Sequence, residues 1–91
     1  MSKRWELYSF IMRSEERKKI LFILENPITP TQIGKQVGKS VSHVSRTLKH
    51  FNEKGIVECL TPDEKVYKLY QLSKLGKEVL KYVKETESRK L

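Results

Sequence analysis

Ser42, His43, Arg46, Lys49 and His50 recur at spacings that gather them on one side of a helix, where they offer a hydroxyl, two imidazoles, a guanidinium and an ammonium. A guanidinium fork engages O6 and N7 of guanine together, a contact worth about 1 to 3 kcal/mol of discrimination, so Arg46 suits either a guanine or a phosphate. Ser42 and His43 stand with it nearest base edges, because the first turns of a helix approach a duplex most closely. Lys49 and His50 suit phosphate oxygens, as do Thr31, Gln32, Lys35, Lys39 and Ser40 before them and Lys65 and Lys68 after them. Thr31 and Gln32 also present the positive end of a helix. Other chemistry is poorly served. His43 and His50 are seven apart, too far along a helix to share a metal as an i, i+4 pair would. The single cysteine, Cys59, excludes a disulfide framework and a cysteine-rich zinc site. No nucleophile with base and orienting group is present, and no glycine loop to cradle a phosphate. Neither enzyme, metal nor cofactor is expected.

The elements that must position these residues are marked by capping signals. Ser14 before Glu15 and Glu16 starts a helix over about 15–25, whose apolar run Ile20–Leu24 is too continuous for a surface helix and should be largely buried. Thr29, Pro30 and Gln32 form a capping box with proline at the first helical position, opening a helix that runs to about Val37. Gly38 supplies a positive φ and Ser40 a fresh cap, with only Lys39 between them. So short a connection forces a steep crossing, the helix-turn-helix arrangement, over 29–54. In its second helix, Val41–Lys54, the residues Val41, Val44, Leu48 and Phe51 share a stripe facing the core. Gly55 ends it. Ile56–Leu60 and Val66–Leu72 are β-prone about a turn at Thr61–Lys65, a hairpin over 56–72. Ser73 caps a last helix over 74–88 with Leu75, Val79, Tyr82 and Val83 as its stripe, and Gly76 in its first turn costs about 1 kcal/mol relative to alanine.

The fold class is therefore α+β, mainly α: a three-helix core, a two-stranded wing and a C-terminal helix in one domain, 1–91. Ninety-one residues suit a single core. The net charge of +8 favours a polyanionic partner, and half of it sits in residues 27–55, where Lys35, Lys39, Arg46, Lys49 and Lys54 face Glu53 alone. The hairpin is slightly acidic. Apolar runs are far below the roughly 20 residues that cross a bilayer, and Met1–Arg4 is not followed by a signal-peptide core, so no membrane association and a cytoplasmic location are expected.

The run Ser42, His43, Val44, Ser45, Arg46, Thr47, Leu48, Lys49, followed by Glu53, Lys54, Gly55, Ile56, Val57, resembles winged helix-turn-helix transcriptional regulators. Within them it is similar to compact archaeal-type members of the arsenic-repressor and multiple-antibiotic-resistance regulator groups (ArsR/MarR-like). Tyr70–Leu80 resembles the strand-to-helix exit of the same families, and the likeness spans about Ser14–Val83. It implies a homodimer on palindromic double-stranded DNA. Two departures stand out. The wing tip carries Asp63 and Glu64 where such wings carry Arg or Lys, leaving Lys65 and Lys68 as its contributors, and the cysteine-rich metal-sensing motif is missing.

The apolar segment over 1–13, with Trp5, Leu7, Tyr8, Phe10, Ile11 and Met12, needs a partner surface. It either folds over its own core or joins the last helix against a second subunit, giving dimer-interface candidates Trp5, Tyr8, Phe10, Ile11, Leu75, Val79, Tyr82 and Val83. A twofold dimer would set two recognition helices about 34 Å apart, one turn of DNA. The expected function is a sequence-specific, double-stranded-DNA-binding transcriptional regulator. The alternative is a winged-helix module binding protein or RNA in a larger assembly, whose helix would show apolar or acidic residues instead.

Overall fold

The structure, a computed structural model, describes residues 3–66 and 68–89; Met1, Ser2, Tyr67, Lys90 and Leu91, which fall in the expected N-terminal segment, the wing and the tail of the 1–91 unit, lie outside the described residues. The elements are α1 (Lys3–Met12), α2 (Glu15–Ile23), α3 (Pro30–Val37), α4 (Val41–Glu53), β1 (Val57–Cys59), β2 (Tyr70–Leu72) and α5 (Lys74–Arg89). This is the mainly helical winged helix-turn-helix expected, with the apolar N-terminal segment folded as an additional helix.

The caps act as their sequences dictate. Ser14 Oγ accepts from Arg17 N at 3.2 Å. Thr29 Oγ1 accepts from Gln32 N while Gln32 Oε1 accepts from Thr29 N, the reciprocal capping box. Gly38 takes φ 70°, and Ser40 Oγ accepts from His43 N at 3.1 Å. Gly34 also has a role: a Cβ there would lie 2.7 Å from the Lys39 carbonyl oxygen, so the turn closes only over a residue without one.

α2 ends at Ile23, two residues short of expectation, because the Leu24 carbonyl accepts from Leu72 N at 3.1 Å and so joins the wing. In the wing, Val57 pairs with Leu72, Glu58 with Gln71 and Cys59 with Tyr70, antiparallel. The strands are shorter than the β-prone runs, although Leu60 N still donates to Leu69 O at 2.7 Å. On the free edge of β2, Ile28 exchanges two backbone hydrogen bonds with Tyr70, at 3.0 and 2.9 Å, and so fastens the entry to α3 onto the wing. Gly76 is likewise a requirement and not merely a cost. A Cβ at that position would sit 2.0 Å from the Ile56 carbonyl oxygen, the closeness with which β1 docks on α5.

One apolar cluster joins every helix to the wing: Leu7 and Ile11 from α1, Ile20 and Leu21 from α2, Ile33 from α3, Val44, Leu48 and Phe51 from α4, Val57 and Leu72 from the strands, and Val79, Leu80 and Val83 from α5. Two expectations change here, and one open alternative is decided. Ile11, Val79 and Val83 are wholly buried within this one chain, so they cannot face a second subunit. Val41 is 47% exposed and leaves the core stripe to Val44, Leu48 and Phe51. The N-terminal segment, finally, folds over its own core. Tyr8 Oη and Thr86 Oγ1 share a hydrogen bond of 2.7 Å, Arg4 Nε donates to Glu78 at 2.8 Å, and Phe10 lies edge-on to Phe51 with the Arg17 guanidinium 4.1 Å and the Lys54 ammonium 4.6 Å from its centroid.

Candidate nucleic-acid interface

α3 and α4 cross as a helix-turn-helix whose outer surface is polar. Burial of Val44, Leu48 and Phe51 fixes the rotation of α4, and with it the opposite side of the helix: Ser42, Ser45, Arg46, Lys49 and His50 are all exposed. On α3, Thr31, Gln32 and Lys35 are exposed, and the turn exposes Lys39 and Ser40. The chain has no acid from Asn26 to Asn52, so nothing within this stretch opposes its cations. Among the described residues, Lys35, Arg46, Lys49, Lys65 and Lys68 form no ion pair with a carboxylate.

One acid reaches the surface from elsewhere, and the sequence reading missed it. Glu16, in the first turn of α2, receives a hydrogen bond from His43 Nε2 through one oxygen, and its other oxygen lies 3.9 Å from Lys39 Nζ. His43 is thereby held at the α2 side of α4 and is only half-exposed, apart from the open row of Ser42 and Arg46. No local signal announces this contact, since the two residues are 27 positions apart. Gln32 and Ser40 are partly occupied as well. The Gln32 carbonyl oxygen and the Ser40 hydroxyl oxygen accept in their helix caps, which leaves the Gln32 amide NH2 and the Ser40 O–H of these exposed residues as donors.

Between the wing and the helix-turn-helix runs a groove lined by Pro30, Thr31, Val41, Ser45, Lys65, Val66, Lys68 and Tyr70. It brings Lys65 and Lys68 to the same side of the molecule as α4. Asp63 and Glu64 are exposed at the turn beyond them, as the sequence indicates, and do not line the groove. Burial first, then Cys59 on the facing strand, pushes the Tyr70 phenol above its ordinary range.

The aromatic candidates lie on another face. Trp5 is 58% and Tyr82 52% exposed on the side where α1 packs on α5, with Leu75 half-buried on the same helix as Tyr82. Trp5 stacks on Tyr8 at 5.6 Å between centroids. Among the described residues, no helix is long and apolar enough to cross a membrane.

Residues 12–61 match the family described as a homeodomain-like domain, a span that takes in α2, the helix-turn-helix and β1. No curated protein matches the sequence significantly. Among solved structures, a MarR-family transcription regulator superposes with a TM-score of 0.72 at 22% identity, over 85% of this chain and 53% of its own. The adhesin competence repressor AdcR of Streptococcus pyogenes gives 0.71 at 15% identity, over 85% and 59%. A mutant of the type III plasmid segregation protein TubR gives 0.78 at 19% identity, over 97% and 95%. The chain thus spans little more than half the length of the first two, and at these identities the likeness is one of fold.

Proposed function

We propose that this chain, which belongs to the homeodomain-like domain family, is a sequence-specific double-stranded-DNA-binding transcriptional regulator that acts as a homodimer with α4 in the major groove. The observation that carries the reading is the exposed side of α3 and α4 from Thr31 to His50, a stretch with no carboxylate of its own, on which Arg46 and Lys49 form no ion pair among the described residues. The solved transcription regulators of the same fold support it.

In this reading Arg46 and Ser42 meet base edges, and His43 reaches them only from its station on Glu16. Lys35, Lys39, Lys49, His50, Lys65 and Lys68 contact phosphates, joined by the free donors of Thr31, Gln32 and Ser40. Positioning and reading are divided between these groups. Each phosphate contact lowers affinity by about 0.9 log unit per log unit of added salt. The dimer forms through Trp5, Tyr82 and Leu75, with Tyr8 stacked behind Trp5, and favours palindromic sites. The twofold axis then lies at the α1–α5 face. No cofactor takes part.

The superposition with the plasmid segregation protein TubR, at a TM-score of 0.78, favours a second reading, in which the same DNA-binding surface serves DNA segregation and not transcription. One experiment addresses both: selection of bound fragments from genomic DNA, followed by salt titration of the best fragment against a scrambled copy, for the native chain and Arg46→Ala. The regulator reading expects fragments near gene starts, a strong preference over the scrambled copy, and relaxed selection at one base position in the variant. Fragments clustered away from gene starts favour segregation. Equal binding of native and scrambled duplexes overturns sequence-specific recognition altogether.

A further inference from the structure

We propose that Val41 reads the 5-methyl group of a thymine in the major groove, and that this contact fixes one thymine in each half-site of the bound DNA. The inference rests on the DNA-binding reading above and adds to it a base that no hydrogen-bonding side chain accounts for. Its starting point is an anomaly of burial. Helical spacing from Val44, Leu48 and Phe51 would carry Val41 into the core, yet it stands 47% exposed while those three are buried. It occupies the first turn of α4, the part of a recognition helix that comes nearest base edges. Ser42, Ser45 and Arg46 are exposed around it, so it belongs to the polar reading row by position and differs only in chemistry.

The surroundings restrict what could cover it. Val41 lines the groove between helix and wing, where Val66, 65% exposed, Pro30 and Tyr70 supply the remaining apolar surface and Thr31, Ser45, Lys65 and Lys68 the polar surface. Lys65 and Lys68 stand in this lining with no acid beside them, which suits an occupant that is anionic along its length and apolar at the point that meets Val41. A nucleic acid strand satisfies the first condition. For the second, the edges that unmodified DNA presents in the major groove carry a single apolar feature, the C5-methyl of thymine. A valine side chain has no hydrogen-bond donor or acceptor, so apolar contact with that methyl is the readout open to it.

The test uses the full chain and the best duplex from the genomic selection, with each thymine exchanged in turn for deoxyuridine, which removes the methyl and leaves base pairing intact. One exchange per half-site should weaken binding roughly fourfold, the worth of one buried methyl group. Val41→Ala should bind the thymine and deoxyuridine duplexes at that position equally, with an unchanged melting temperature because the side chain is half in solvent. Selective binding with no response to any exchange, or an exchange whose effect survives in Val41→Ala, overturns the inference and leaves the DNA reading standing. Absence of selective binding to any duplex overturns the DNA reading itself, and the thymine contact with it.

Discussion

Where α1, α2 and α5 meet, cations are matched to carboxylates: Arg4 with Glu78 at 2.8 Å, Lys18 with Glu15 and Glu87 at 2.8 and 2.9 Å, and Lys84 with Glu25 at 3.0 Å. Across α3 and α4, among the described residues, they are not, and only Lys39 and His43, at the border with α2, find an acid in Glu16. In the first region charge positions helices. Lys18, almost covered, is held above the ordinary ammonium range by its hydrogen bonds to Glu15 and then Glu87, which outweigh the effect of burial. In the second, like charges repel one another and add nothing to the fold. Their arrangement is explained by an external polyanion and not by the stability of the domain. Mutations should therefore separate the two regions: those in the paired region and the core act on stability, and those on the open face act on binding.

The largest expected effect crosses both regions. Phe51 is fully buried on α4 and carries the ring of Phe10 from α1, so Phe51→Ala should destabilise the chain by about 3–5 kcal/mol in denaturant unfolding. A loss below about 1 kcal/mol would mean that α1 does not depend on α4. Next comes Gly76→Ala. The new methyl would collide with the Ile56 carbonyl, and the shift it forces should cost about 1–3 kcal/mol, with loss of amide protection centred on β1 and the start of α5. Unchanged exchange at Ile56 and Val57 would refute the docking.

On the open face, Lys35→Gln with Lys49→Gln should leave stability within about 0.5 kcal/mol of the native chain. The same pair should lower the salt slope of DNA binding by about 1.8, or about 0.9 for each phosphate no longer neutralised. An unfolding curve that moves by more than the binding curve would erase the distinction between the regions.

How far the sequence carries this picture follows from the range of the forces involved. Caps, turn glycines and the buried stripe of α4 are local, and Thr29, Gln32, Gly38, Ser40, Leu48 and Phe51 could be assigned from their neighbours alone. What eluded such reasoning depends on tertiary approach. The Ile28–Tyr70 bridge, the Glu16–His43 contact and the collision that demands Gly76 each join segments 20 or more positions apart. The apolar residues of α1 and α5 illustrate the same limit. Composition marks them as needing cover, but only the packed chain separates Ile11, Val79 and Val83, which face inward, from Trp5 and Tyr82, which do not. Val41 is the instructive miss. Periodicity assigns it to the core, and the end of a helix is where periodicity is weakest because a single turn need not touch anything.

The smallest effect tests whether the paired region is electrostatic at all. Glu78 is exposed enough for solvent to screen its pair with Arg4, yet the Arg4 hydrogen bond, acting before their simple attraction and against some burial, holds its carboxyl below the ordinary 4.5. A carboxyl lowered on folding contributes stability that is present above its unfolded pKa and is lost as pH falls through the lowered folded value. Glu78→Gln retains size and hydrogen bonding but cannot ionise. The native chain should therefore melt slightly higher than Glu78→Gln at neutral pH, and the gap should close as the pH falls through the lowered folded value of the Glu78 carboxyl. The opposite end of the scale provides a control, because the raised Lys18 contributes below its ordinary 10.5 and loses its effect as pH rises through the higher folded value, independently of Glu78. A gap between native and Glu78→Gln that stays constant through the acid range would show that Arg4 and Glu78 position α1 on α5 by shape and hydrogen bonding alone, and the contrast between paired and open charge would then rest on Lys18 and its two glutamates.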